Sequence, residues 1–269
     1  MNAPTPAPRL TPFFFGPDAG LFGCHHHPEG DDRRHGVVLC PSFGHEALQF
    51  HRAWAQLAGH LARAGCTVLR FDPHGCGDSA GDTEDGRWPR WVENTDAAVE
   101  ALRAREPGLR RLSLVGLRLG ASLALRCAAG RDDIETLALW DPVVEGEDWL
   151  AQLDRLHADV LRTAHVLPTE AEATGARDQR LGFPLSPELL ADLESLRLTD
   201  APAAVRSAFV LRSHPDADPA TLVDALRAAG TTVTTHEQLQ PDLWTWEEDF
   251  GRQLVPLPLL QRLVDGVLA

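Results

Sequence analysis

Apolar positions along the chain follow two rhythms. Short unbroken runs at residues 36–40, 66–71, 112–115, 137–140, 208–211 and 232–235 have the length of strands, and most have the continuous apolar character of strands covered on both faces of a parallel sheet. Between them, residues 50–64 place Trp54, Leu57, Ala58 and Leu61 at helical spacing, and residues 91–105, 121–129 and 218–229 also read as helices. This alternation predicts an α/β fold with a doubly wound, mostly parallel sheet. Ahead of it, Phe13-Phe14-Phe15 and Leu21 to His26 flank a turn-forming Gly16-Pro17-Asp18-Ala19-Gly20, which predicts an opening hairpin. Residues 145–204 break the alternation with a helix at 148–162, a polar stretch containing Pro168 and Gly175, and a second helix at 187–196. They predict a small helical cap over the strand ends, dividing the chain into a core at 1–144, the cap at 145–204 and a second core part at 205–269.

Composition narrows the functional classes. With 25 basic residues against 39 acidic ones, the net charge of −14 argues against nucleic acid and anionic membrane as partners. Every basic residue is arginine and there is no tyrosine, which removes lysine nucleophiles and tyrosine acids from consideration. Five cysteines without a C-x-x-C pair predict free thiols in a reducing compartment. The Pro-rich start lacks a basic segment followed by an apolar one, and no apolar stretch reaches the length of a membrane span, so a cytoplasmic protein is expected. His25-His26-His27 invites a metal reading, but successive strand residues point to opposite faces, so all three cannot converge on one ion and no metal is expected. No P-loop lysine or G-x-G-x-x-G spacing is present, and no cofactor is expected.

The chemistry centres on Gly116-Leu117-Arg118-Leu119-Gly120. An apolar run precedes it and an Ala/Leu-rich helical run follows, the strand–turn–helix setting of a G-x-S-x-G nucleophile elbow. Arginine stands where the nucleophile belongs, and a guanidinium protonated at any ordinary pH cannot attack a carbonyl. Upstream, Phe71-Asp72-Pro73-His74-Gly75-Cys76-Gly77-Asp78-Ser79 forms a D-x-H-G-x-G-x-S loop.

On these motifs the chain resembles the α/β-hydrolase superfamily, in its serine aminopeptidase-like branch. More closely it is similar to the second type of exosortase A system-associated hydrolases, through the G-L-R-L-G elbow, the Phe-rich hairpin, the Pro-x-Phe loop carrying Glu46, the segment Gly182-Phe183-Pro184-Leu185-Ser186-Pro187, and Pro241-Asp242-Leu243-Trp244. The resemblance implies a bacterial protein with a hydrolase fold, and an acid after the post-cap strand followed by a histidine after the last strand. Asp216 or Asp218 fills the acid slot. The histidine slot is empty, since His236, the last histidine, falls within the final strand's end.

What survives is an anion-binding arrangement. The loop Pro41-Ser42-Phe43-Gly44-His45-Glu46 occupies the place of half an oxyanion hole, and the backbone N–H of Leu119 the other half. Arg118 projects into that space, either to hold an external carboxylate, phosphate or sulfate, or to pair internally with Glu46, Asp72 or Asp216; the internal pair is weighed above the external one because a buried unpaired arginine is costly. Ser42, Cys76, Ser79 and Ser122 are the remaining nucleophile candidates, each with a plainer reading as a turn, capping or packing residue. Glu46 with His45 is the preferred general-base pair. With Arg118 and Asp216 they form the expected catalytic set, and Ser42, Phe43, His74, Leu119 and Trp244 the expected substrate contacts. The functional expectation is hydrolysis or acyl transfer on an ester, thioester or amide of an anionic, acylated or carrier-bound small molecule by a non-serine route. The alternative is an inactive accessory protein that binds such a metabolite through Arg118.

Overall fold

A computed structural model describes residues 10–163, 179–200, 203–245 and 255–269 of the chain. The Pro-rich start, the polar stretch with Pro168 and Gly175, and Trp246 lie outside the described residues. Strands β1 (Leu10–Phe15) and β2 (Leu21–His26) form the expected hairpin, followed by β3 (His35–Cys40), β4 (Cys66–Phe71), β5 (Arg111–Leu117), β6 (Thr136–Trp140), the two-residue strands β7 (Gln179–Arg180) and β8 (Phe183–Pro184), then β9 (Ser207–Arg212) and β10 (Thr232–Glu237). Eight of these make one sheet in the order β1-β2-β4-β3-β5-β6-β9-β10, antiparallel at the first two junctions and parallel across the rest. β7 and β8 pair only with each other. The fold is the doubly wound α/β sheet that the apolar runs predict.

Helices cover both faces, as parallel strands without a polar face require. On one side α2 (His51–Arg63) packs with α8 (Leu257–Leu268), burying Trp54, Leu57 and Leu61 against Leu259, Leu260 and Leu263 and strand residues such as Val68 and Trp140. On the other side α3 (Trp88–Arg105) and α4 (Leu119–Ala129) enclose Leu69, Leu114 and Leu139. The same core extends to α5 (Gly146–Thr163) and α6 (Pro187–Glu194), through Trp149, Leu153, Leu189 and Leu193. These are the two helices expected between β6 and β9. Ser186 caps α6 by accepting from the Leu189 amide, and Pro187 opens its first turn. The last crossover helix, α7 (Ala220–Ala228), precedes the edge strand β10.

Two features depart from the sequence reading. His45 and Glu46, expected in a loop, lie in the first turn of a short helix, α1 (Gly44–Gln49), which ends against α2 at Phe50. The helix α8, not assigned from the sequence, closes the α2 face.

Candidate active site: an arginine locked into the elbow

Arg118 occupies the turn between β5 and α4 with φ 52° and ψ −121°, a left-handed backbone that an L-residue rarely adopts. The flanking glycines make the turn possible. A Cβ at Gly120 would strike the Cys40 and Pro41 carbonyls, and one at Gly116 would strike Gly120 and Ala121. Close approach of β5, the β3 exit and α4 therefore forces the side chain of residue 118 up from the sheet.

That side chain is 2% exposed and each of its three nitrogens has a hydrogen-bond partner. Its Nε donates to Glu46 Oε1 at 2.9 Å, Nη2 to Gln152 Oε1 at 2.5 Å, and Nη1 to the Asp141 carbonyl at 3.5 Å. Glu46 is equally occupied: Ser42 Oγ donates to its Oε2 at 2.7 Å and Trp149 Nε1 to its Oε1 at 3.2 Å. Burial pushes the Glu46 carboxyl up, but Arg118, His45 and the donated hydrogen bonds outweigh it and hold the group below its ordinary value. Of the three acids open to Arg118 from the sequence, Glu46 is the partner. Asp72 instead accepts from the Asp78 amide at 3.0 Å inside its own loop. Asp216 is exposed, with an oxygen 3.7 Å from Arg155 Nη2. Trp149 and Gln152, three residues apart on one face of α5, tie that helix directly to the elbow.

A second buried carboxylate stands at the next strand end. Asp141 follows β6 with φ 45°; its Oδ1 accepts from the Ser213 amide at 2.7 Å and its Oδ2 from Ser213 Oγ at 2.6 Å, and both oxygens lie 3.1 Å from the His214 amide. Burial raises its carboxyl against those bonds and against Arg118. Ser213 Oγ in turn accepts from Trp140 Nε1 at 2.8 Å and Trp244 Nε1 at 3.3 Å. Sequence reasoning missed this residue, although an aspartate directly after a predicted parallel strand was a visible signal. Trp149 and Gln152 were also missed, and nothing in the helical pattern alone singles them out.

Above these groups opens a cleft of about 780 Å³. His45, Glu46, Arg118, Asp216 and Trp244, all expected at the site, line it together with Gln152, Leu156, Val160 and His214. Trp244 lies with its ring centroid 5.4 Å from the Arg118 guanidinium carbon and 5.0 Å from the His214 ring. His214 Nδ1 accepts from the Asp216 amide at 2.9 Å, and burial, with Arg118, lowers the ring's pKa to about 4. The ring is neutral near pH 7, with its proton on Nε2. Burial likewise lowers His45, against the opposing pull of Glu46.

The other four expected contacts are not among the residues that line this cleft. Phe43 is core, its ring centroid 5.0 Å from Trp91 and 6.2 Å from Phe183. His74 orders its own loop, its amide donating to Asn94 Oδ1 at 2.9 Å and its carbonyl accepting from Trp91 Nε1 at 2.9 Å. Leu119 is a buried first residue of α4, and Ser42 is spent on Glu46. The remaining nucleophile candidates are similarly committed. Ser79 Oγ donates to the Asp72 carbonyl at 2.5 Å, Ser122 Oγ to the Val143 carbonyl at 2.7 Å, and burial, reinforced by Asp72, pushes the Cys76 thiol up to about 12.

The family model for serine aminopeptidase, S33, matches residues 31–205, and the chain belongs to that α/β-hydrolase family. No curated protein matches it. Among solved structures it is similar to a Pyrococcus furiosus esterase (15% identity, TM-score 0.68, 100% of this chain and 94% of the other) and to Est1E of Butyrivibrio proteoclasticus with ferulic acid bound (17%, 0.62, 93% and 96%). An α/β serine hydrolase of Xanthomonas campestris described as having no lid is a further match (20%, 0.57, 99% and 97%). At these identities the likeness is one of fold.

Proposed function

We propose that this chain is a ligand-binding member of the family in which serine-based acyl hydrolysis has been given up, and that the cleft holds a carboxylate-bearing, acylated or carrier-bound small molecule. The observation that carries this reading is the Arg118–Glu46 pair. A guanidinium stands at the nucleophile's position, and the carboxylate best placed to act as a base is held ionised with both oxygens hydrogen-bonded. A carboxylate whose proton affinity is depressed and both of whose oxygens already accept hydrogen bonds is a poor general base. Arg118, for which the sequence weighs an internal pair above an external anion, serves as the tie between elbow, α1 and α5. Ligand recognition then falls to the Nε2–H of His214 and the exposed Arg155 for an anionic head, and to Leu156, Val160 and Trp244 for an apolar body.

The G-L-R-L-G elbow and the Gly182 to Pro187 segment further support a place among the bacterial exosortase A system-associated hydrolases of the second type. All five cysteines are free, which suits a reducing, cytoplasmic setting, and no described helix is long and apolar enough to cross a membrane. The net charge speaks for a small-molecule partner over nucleic acid or membrane.

The competing reading is hydrolysis of an ester, thioester or amide by water activated at Glu46 or His45. Titrating the protein with octanoate while following tryptophan emission, beside hydrolysis assays on p-nitrophenyl butyrate and a butyryl thioester, separates the two. Saturable quenching that Leu156→Trp abolishes, with no turnover, is the expected result. Turnover lost in folded Glu46→Ala and Arg118→Ala would overturn it in favour of a serine-free enzyme, and absence of both binding and turnover would reject this ligand class.

A further inference from the structure

At the opposite end of the sheet from the cleft, two histidines and a glutamate converge. β2 runs antiparallel to β4 with His26 opposite Val68, so the chain leaves β2 near the start of the parallel strands, whereas the cleft sits at their far ends. The alternation that keeps three successive histidines from meeting leaves His25 and His27 on one face, with ring centroids 4.2 Å apart. His26 turns to the other face and its Nε2 accepts from Arg70 Nε at 3.1 Å. Glu106, the C-cap that follows α3, brings Oε1 to 3.5 Å from His25 Nε2.

We propose that His25, His27 and Glu106 form a site for a first-row divalent transition metal, with Zn²⁺ the natural candidate, that staples the β1–β2 hairpin to the end of α3. One ligand atom from each residue lies within 4.8 Å of the others. Ligands of a tetrahedral zinc stand ~3.3 Å apart, so the widest pair closes by at most about 1.5 Å. His27 follows the end of β2 and the Glu106 side chain is about a third exposed (35%), so both have room to move. Two imidazoles and a carboxylate suit zinc and its neighbours in the transition series better than magnesium or calcium. The position at a helix C-terminus adds the negative end of the α3 dipole. Thr67 Oγ1 lies 2.6 Å from His25 Nε2 and Thr11 Oγ1 2.9 Å from His27 Nε2, two contacts that orient the rings. Arg105, the neighbouring cation, lies against the Phe13 ring at 3.5 Å.

Three protein ligands leave a fourth tetrahedral position for water. The distance in the fold from the elbow assigns this metal a stapling role, independent of what the cleft binds.

Co²⁺ titration of the purified full chain tests the site, because a low-coordinate Co²⁺ site with nitrogen and oxygen ligands has intense visible absorption that Zn²⁺ displaces. One equivalent is expected to bind, with affinity falling about tenfold or more in His27→Asn and in Glu106→Gln and unchanged in His60→Asn, and Zn²⁺ raising the melting temperature only where binding survives. Circular dichroism confirms that the variants fold. Wild-type protein that binds no Co²⁺ stoichiometrically, or folded His27→Asn and Glu106→Gln variants that bind it as tightly as wild type, would overturn the proposal.

Discussion

Glu46 and Asp141 are two carboxylates buried at neighbouring strand ends, and their surroundings push them in opposite directions. Glu46 meets a full positive charge and stays ionised, whereas Asp141 meets mainly neutral donors from Ser213 and the His214 amide, and burial dominates. Depth alone therefore does not set the state of an acid; the charge of its nearest donor does. The pair also divides the labour of the site. Glu46 binds the elbow to α1 and, through Trp149, to α5, while Asp141 holds the β9 exit where His214 enters the cleft.

The largest effect is expected on removing Glu46. Glu46→Ala leaves Arg118 buried without its counter-charge and should cost about 3–5 kcal/mol in urea unfolding, while Glu46→Leu combined with Arg118→Met should recover most of that loss. If the single substitution is mild, the ion pair is not the tie described here. Asp141→Ala strands the Ser213 and His214 amides and should cost about 2 kcal/mol, less because no charge is left unpaired. Ser42→Ala removes one hydrogen bond to an ionised partner and should cost roughly 1.5 kcal/mol. Equal losses at residues 46 and 141 would erase the distinction between them.

Acid titration sharpens the same contrast through its sign. The folded Glu46 carboxyl lies below its ordinary 4.5, so its stabilisation is present above that value and is lost as pH falls through the folded pKa. The folded Asp141 carboxyl lies above its ordinary 3.8, so its contribution is full below 3.8 and is lost as pH rises through the folded pKa. Buried neutral histidines such as His214 add a general loss of stability as pH falls from 6.5 toward 4. Subtracting variant from wild-type unfolding free energies between pH ~3 and ~7 removes that background. The difference for Glu46→Gln should rise with pH and that for Asp141→Asn should fall; two slopes of one sign would refute the assignment.

Much of the frame was legible in the residues. The apolar runs at 36–40, 66–71, 112–115, 137–140 and 208–211 are strands because only a doubly covered sheet hides such runs, and each is found in the main sheet. The elbow was legible because an apolar run, the Gly116-Leu117-Arg118-Leu119-Gly120 spacing and an Ala/Leu-rich helical run follow one another. α1 was not, since six residues starting at Gly44 are too short to show a helical period. α8 has apolar residues at Leu259, Leu260, Leu263, Val264 and Val267, a helical spacing that the residues themselves carry.

Local order in the chain by itself determined the sheet, its crossovers and the arginine at the turn, because strand length, helical spacing and glycine sterics act over a few residues. Only the tertiary structure chose Glu46 over Asp72 and Asp216 as the partner of Arg118, 72 residues away. It alone brought Trp149 and Gln152 down onto that pair and set Asp141 beneath Ser213. Charge pairing in a desolvated interior depends on distances of a few ångströms between segments that no local pattern relates.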